Sequence, residues 1–219
     1  LRKGVFITFE GIDGSGKSTQ SRLAHKALIA RGHEVVLTRE PGGSPGAEEI
    51  RALLVRGESD RWSPETELIL FNAARRDHVE RTVLPALDRG AIVLCDRYVD
   101  STRGYQGGDP ARARLIDLMH RELIGLDPDL TILIDLDPAL ASARDASVKG
   151  AETRFEGRGD PFMAAVAGRL RARALQEPDR FRVLDGAMTA EALSERVVAE
   201  IDSRLQEKRG GPGHSGPSL

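Results

Sequence analysis

A chain of 219 residues with formal net charge −2, 40% hydrophobic and 30% charged, is the size of one α/β domain with a single sizeable core. Its near balance of acids and bases argues against a nucleic-acid partner, although arginines crowd residues 97–121 and 144–182. The single cysteine, Cys95, excludes an intrachain disulfide and suits a reducing cytoplasm, while the apolar run after Lys3 stops at Glu10, too short for a signal peptide or a membrane span.

Residues 5–9 read as a buried strand that breaks into Glu10-Gly11-Ile12-Asp13-Gly14-Ser15-Gly16-Lys17-Ser18-Thr19. The spacing G-x-x-x-x-G-K-[ST] is complete at Gly11, Gly16, Lys17 and Ser18, with a strand before it and a helix after. Glycines let backbone N–H groups turn inward and phosphate oxygens approach without a Cβ in the way. Lys17 then reaches the outer phosphates, Ser18 offers a hydroxyl to Mg²⁺, and the following helix presents unpaired N–H groups to the anion. Nucleoside triphosphate binding follows, with residues 11–19 as the cradle.

A helix over 18–31 ends at Gly32. A strand over 35–38 empties into Arg39-Glu40-Pro41-Gly42-Gly43, a functional loop where proline and paired glycines forbid regular structure. Ile50, Leu53 and Leu54 mark a short helix, and Ser63-Pro64 starts a longer one to about residue 79. A separate helical stretch around Val83, Leu84 and Leu87 ends at Gly90. The continuous apolar run 91–95 is a strand buried on both faces, delivering Asp96-Arg97-Tyr98 at its C-terminal end, where ligand groups collect in parallel sheets. Residues 101–108 mix hydroxyls, phenol and amide with glycines and read as a binding loop, with an exposed linker as the alternative. Asp109-Pro110 opens a helix closed by Gly125. Strand 130–136, helix 138–148, a mobile connection 149–160, helix 162–176 and strand 181–184 follow. Thr189 caps a last helix carrying Leu193, Val197, Ile201 and Leu205, and the Gly/Pro/Ser tail 208–219 is expected to be disordered. The alternation of strand and helix argues for a parallel sheet with helices on both faces.

Asp96 ends a buried strand and suits a metal ligand beside Ser18, with Arg97 next to it as a phosphoryl clamp; a surface salt bridge is the alternative. Phe71 and Arg75 are four apart on one helix and share a face. That pair suits a planar base, a ring to stack on and a donor for a ring oxygen, and equally a core phenylalanine beside a solvated arginine. The histidines show no metal spacing.

These blocks resemble the bacterial thymidylate kinases. Residues 9–19 are similar to the family's phosphate loop, Thr38-Arg39-Glu40-Pro41-Gly42-Gly43 to its second-strand loop, and Asp96-Arg97-Tyr98 with Ser101-Thr102 and Tyr105-Gln106-Gly107 to its most diagnostic block. The likeness runs from residue 4 to about 205. It implies a P-loop NTPase fold with a five-stranded parallel sheet, helices on both faces and a small lid near 149–160, in one kinase domain over 1–207. It also implies a homodimer and the Mg²⁺-assisted, ATP-dependent phosphorylation of dTMP to dTDP in dTTP synthesis. On this likeness Asp13, Glu40, Pro41, Phe71, Arg75, Arg97, Ser101, Thr102, Tyr105 and Gln106 face dTMP. Gly11, Ile12, Asp13, Gly14, Ser15, Gly16, Lys17, Ser18 and Thr19 face ATP, with Arg144 and Arg158. Asp13, Lys17, Arg97 and the lid residue Arg154 carry the rate, and Ser18 and Asp96 hold the metal. Arg103 stands where relatives usually have a neutral residue, and Ala165, Ala167 and Leu170 where they tend to show paired arginines and a tyrosine. Competing readings are a kinase for another nucleoside monophosphate or deoxynucleoside, and a P-loop switch, for which the guanine-reading Asn-Lys-x-Asp is absent.

Overall fold

The computed structural model describes residues 3–58, 60–145 and 159–210. Arg154 and Arg158, most of the expected lid and the tail from 211 onward lie outside the described residues.

Five strands form one all-parallel sheet in the order β2-β3-β1-β4-β5. The central strand β1 (Val5–Glu10) is buried along its whole length between β3 (Ile92–Asp96) and β4 (Leu130–Asp135). Strands covered on both faces carry near-continuous apolar runs, as these do. The edge strands β2 (Val35–Arg39) and β5 (Phe181–Asp185) are only partly buried. On one face Ile7, Phe9, Leu94 and Ile132 pack with Leu28 of α1 (Lys17–Ala30) and with Leu193, Val197 and Ile201 of α9 (Ala190–Gly210). On the other, Phe6, Val93 and Cys95 meet Leu68 of α3 (Pro64–His78), Val99 of α5 (Val99–Gln106) and Ile116 of α6 (Pro110–Met119). A third cluster, under the strand ends, joins Ile12 and Leu133 to Val166 and Leu170 of α8 (Gly159–Gln176).

The register decides where the site forms. Phe9 pairs with Asp96 and Glu10 with Leu133, so the loops after β1 and β3 leave the sheet side by side. They open at the point where chain order reverses, the crevice in which ligands of open α/β sheets bind.

Several expectations need correcting. Residues 101–106 are helical, within α5, rather than loop. Gly104 is there for close packing: a Cβ on it would stand 3.2 Å from Leu170 and Val166 of α8. Helices α3 and α4 (Leu84–Asp88) are not separate but joined by a π-helical turn, Val79–Val83, in which Leu84 N–H reaches back to the Val79 carbonyl. Pro85 has no N–H for the i−4 bond, and one wider turn absorbs that loss. Helix α8 begins at Gly159, so 159–160 are helical rather than part of a loop. At the far end α9 continues to Gly210, and Lys208 donates to the Gly4 carbonyl (2.7 Å) and Asp129 (3.0 Å).

Asp100, fully buried in α5, is held by Arg180 (2.7 Å) and Arg103 (2.9 Å), tying the helix to the start of β5. Breaking such a pair leaves uncompensated buried charge. Asp100→Asn should cost about 3 kcal/mol in urea unfolding; a loss below about 1 kcal/mol would show that solvent already screens the pair.

Candidate active site

One cleft of about 1090 Å³ runs across the C-terminal ends of β1, β2 and β3, lined at its centre by residues 13–20. Gly11, Gly14 and Gly16 all have positive φ, 145°, 74° and 102°. A Cβ on Gly11 would collide with the Ile134 carbonyl at 2.5 Å, whereas around Gly16 nothing lies within 4 Å, which leaves room for a phosphate oxygen. No side chain caps α1, and while the Thr19 N–H is taken by the Gly16 carbonyl (3.1 Å), the N–H groups of Lys17 and Ser18 at its start are available to an anion. Gly11 and Ile12 do not line the cleft: Ile12 is a core residue whose carbonyl accepts from Lys17 Nζ at 2.6 Å. Burial pushes the Lys17 ammonium down to about 8, helped by Arg97 and opposed by Asp13 and Asp96.

Ser18 Oγ donates to Asp96 Oδ2, and Asp96 Oδ1 is buried with no hydrogen-bond partner. A hydroxyl beside a carboxylate oxygen without a partner is the donor set of a hard cation that takes its other ligands from phosphate and water. The fit is therefore good for Mg²⁺, although among the described residues no cluster of three metal-ligating side chains exists.

Arg97 follows β3 with φ 68°, in the left-handed region that non-glycine residues rarely occupy. Its N–H donates to the Phe9 carbonyl (2.9 Å), while the guanidinium pairs with Asp13 and donates to Ser101 Oγ (3.1 Å). Tyr105 closes the set, its hydroxyl donating to Asp13 Oδ2 at 2.8 Å. Burial alone would raise the Asp13 carboxyl; Arg97, Lys17 and Tyr105 outweigh it and hold the group at about 2.

At the far end of the cleft stand Phe71 and Arg75. Arg75 is 2% exposed; its Nε donates to Glu40 (2.7 Å), its Nη2 to Thr102 Oγ1 (2.9 Å), and its Nη1 has no partner. The arginine is therefore not a solvated surface residue. Glu40 spends its other oxygen on His78 Nδ1 (3.0 Å), which makes it the anchor of Arg75, and Pro41, Ser101, Thr102 and Gln106 line the same end. Arg103 turns away from the cleft toward Asp100 and Asp117. Ala167 and Leu170 are core residues under α5. At the other end Arg144 donates to the Gly186 carbonyl (2.8 Å) beside Thr189 and Ala190.

Sequence reasoning missed Arg39 and Arg51, which line the cleft, and Glu10 behind it. Arg51 lies next to the Ile50, Leu53 and Leu54 pattern of α2 (Pro45–Val55), and its Nη1 reaches the Pro41 carbonyl, a contact between elements that spacing does not show.

Residues 9–197 match the model of the family described as thymidylate kinase. The chain belongs to the thymidylate kinase family. The thymidylate kinase of Ruegeria pomeroyi is 50% identical over 207 residues, covering 94% of this chain and 98% of its own. That of Dinoroseobacter shibae is 51% identical over 199 residues, 90% and 96% of the two chains. The crystal structure of thymidylate kinase from Ehrlichia chaffeensis superposes with a TM-score of 0.69 at 35% identity, covering 93% of this chain and 99% of that one. The fold is that of the P-loop NTPases, and the chain is a nucleoside monophosphate kinase that phosphorylates dTMP with ATP.

The open space at Gly16 gives a test of the cradle. Gly16→Ala should cost about 1–3 kcal/mol in backbone strain and weaken ATP binding by more than about tenfold, since its methyl enters the anion's place. Calorimetry with a nonhydrolysable ATP analogue reads this; unaltered affinity would place the phosphates elsewhere.

Proposed function

We propose that this kinase binds ATP along residues 13–19 toward Arg144 and dTMP toward Phe71 and Arg75, and transfers the phosphoryl group in line between them without a covalent intermediate on the protein. The observation that carries this reading is one cleft with a phosphate loop at its centre and, at one end, a buried arginine with an unsatisfied donor.

Phosphoryl transfer asks a protein mainly for positioning and charge neutralisation. Lys17 and the α1 N-terminus neutralise the donor phosphates, and Arg97 the acceptor phosphate. Asp13 orients Arg97 from the loop side, backed by Tyr105. Ser18 and Asp96 hold Mg²⁺, which when bound shields the negative charge of the phosphates. Lys17→Ala should lower kcat by orders of magnitude in a coupled ADP-release assay while the melting transition survives.

Base choice follows from Arg75. Its orphaned Nη1 suits a ring carbonyl oxygen, Phe71 stacks on the ring, and an amino group at that ring position would set donor against donor. Arg75→Ala should cost about 1–3 kcal/mol in kcat/KM for dTMP and narrow the gap to dCMP. The deciding experiment is steady-state phosphorylation of a panel of nucleoside monophosphates with ATP: equal turnover of dTMP and dCMP by the unaltered protein would remove base recognition from Arg75.

The quaternary reading is a homodimer in the cytoplasm, acting as one kinase domain over 1–207. Ile69 on α3, Leu115 and Leu118 on α6 and Leu123 just after it are exposed apolar residues on two helices that touch, Asn72 meeting Met119 and Arg76 the Leu123 carbonyl. A second copy would cover them. Among the described residues no helix is long and apolar enough to cross a membrane. Leu118→Asp should shift the sedimentation coefficient from dimer to monomer; an unchanged coefficient would move the interface off these helices.

A further inference from the structure

We propose that Glu10 is a positioning residue for the acceptor end of the cleft: its carboxyl fixes the Arg97 side chain and sets which way the Ser101 hydroxyl points. The proposal rests on the reading that acceptor phosphate binds at Arg97. Glu10 is the last residue of β1, fully buried, and is absent from the cleft wall. Its Oε1 accepts from Tyr98 N–H (2.8 Å) and its Oε2 pairs with Ser101 Oγ in a very short contact. Ser101 Oγ in turn accepts from Arg97 Nη1 (3.1 Å). Both Arg97 and Ser101 line the cleft, so Glu10 acts on the site through them.

The hydroxyl has one hydrogen, and the charge state of Glu10 decides where it goes. An ionised Glu10 only accepts, which draws the Ser101 hydrogen inward and leaves the hydroxyl facing the cleft with lone pairs alone. A protonated Glu10 donates to Ser101 Oγ instead, and the serine hydrogen is released toward the acceptor. The proton balances: it resides on Oε2 in one state and in bulk solvent in the other. Burial and the neighbouring Asp100 push the Glu10 carboxyl up to about 8, against the Ser101 and Tyr98 hydrogen bonds and the charge of Arg97. Other titratable groups facing it are Lys17 from α1 and Cys95 from β3. The acid form therefore predominates near neutrality, and above about pH 8 a new negative charge adjoins the place of an anionic substrate.

The sign of the effect is testable by calorimetry with dTMP alone, at about pH 7 and about pH 9, where the second ionisation of a phosphate monoester, near pH 6, is about 90% or more complete. The unaltered protein should bind dTMP about fivefold more weakly at the higher pH, when roughly 90% of a group titrating at 8 is ionised. Glu10→Gln keeps the shape and the donor to Ser101 but does not ionise; Lys17, held down to about 8, still titrates in it, so its affinity should fall at least about twofold less than that of the unaltered protein over the same interval. Glu10→Asp shortens the reach by one methylene and should weaken dTMP about tenfold at pH 7, with the affinity for a nonhydrolysable ATP analogue held within about twofold. Thermal melts confirm that each variant is folded. A Gln variant that loses affinity with pH in parallel with the unaltered protein, or an Asp variant that binds dTMP as well, overturns the role of Glu10. Failure of the unaltered protein to bind dTMP at pH 7 would instead overturn the acceptor-site reading.

Discussion

The pairing of Arg97 with Asp13 is the contact on which the site depends. It joins the loop after β1 to the turn after β3, two segments 84 residues apart in the chain, and does so only because the parallel register puts Phe9 opposite Asp96. The left-handed backbone at Arg97 is held by the N–H bond to Phe9 and directs the side chain back over the phosphate loop. Strain of this kind persists where the surroundings over-determine it, and here the surroundings are the site itself. Without that turn the guanidinium would leave the sheet end in another direction, and Lys17 would face the phosphates alone.

Behind the cleft, charge is buried in a consistent way. Glu40 neutralises Arg75 and also meets His78; Asp100 neutralises Arg180 and Arg103. Isolated buried ions are prohibitively costly, so each guanidinium is paired on its inner side. Two of the orphaned atoms at the cleft are Arg75 Nη1 and Asp96 Oδ1, where the acceptor base and a cation would supply the missing partners. Preorganisation of this sort lets ligands complete hydrogen bonding rather than compete for it.

The nucleotide elements were legible in the sequence because their information is local. A strand, a G-x-x-x-x-G-K-S loop and a helix within 15 residues specify one another through backbone conformation alone, and Ser63 caps α3 through its own neighbour Thr66. Near-continuous apolar runs marked the central strands β1, β3 and β4 for the same reason, since burial on both faces favours apolar residues, while the partly buried edge strands β2 and β5 showed only shorter runs. The glycines around α5 misled, since Gly104 marks a close helix contact and a loop equally well until the partner helix is known.

What only the tertiary structure decided are the pairings across long separations. Spacing put Phe71 and Arg75 on one face but left open a solvated arginine; Glu40 and Thr102, 35 and 27 residues away, bury it and orient its free donor. Arg103 faces Asp100 and Asp117 rather than the base because α6 packs beside α5. Glu10 looked like the end of a strand, and its partners Tyr98 and Ser101 lie 88 and 91 residues on. Sequence determines which residues have chemistry to offer and the local backbone that presents them; the direction of each buried polar side chain is set by whichever distant partner satisfies it, because an unsatisfied buried group costs too much to leave to chance.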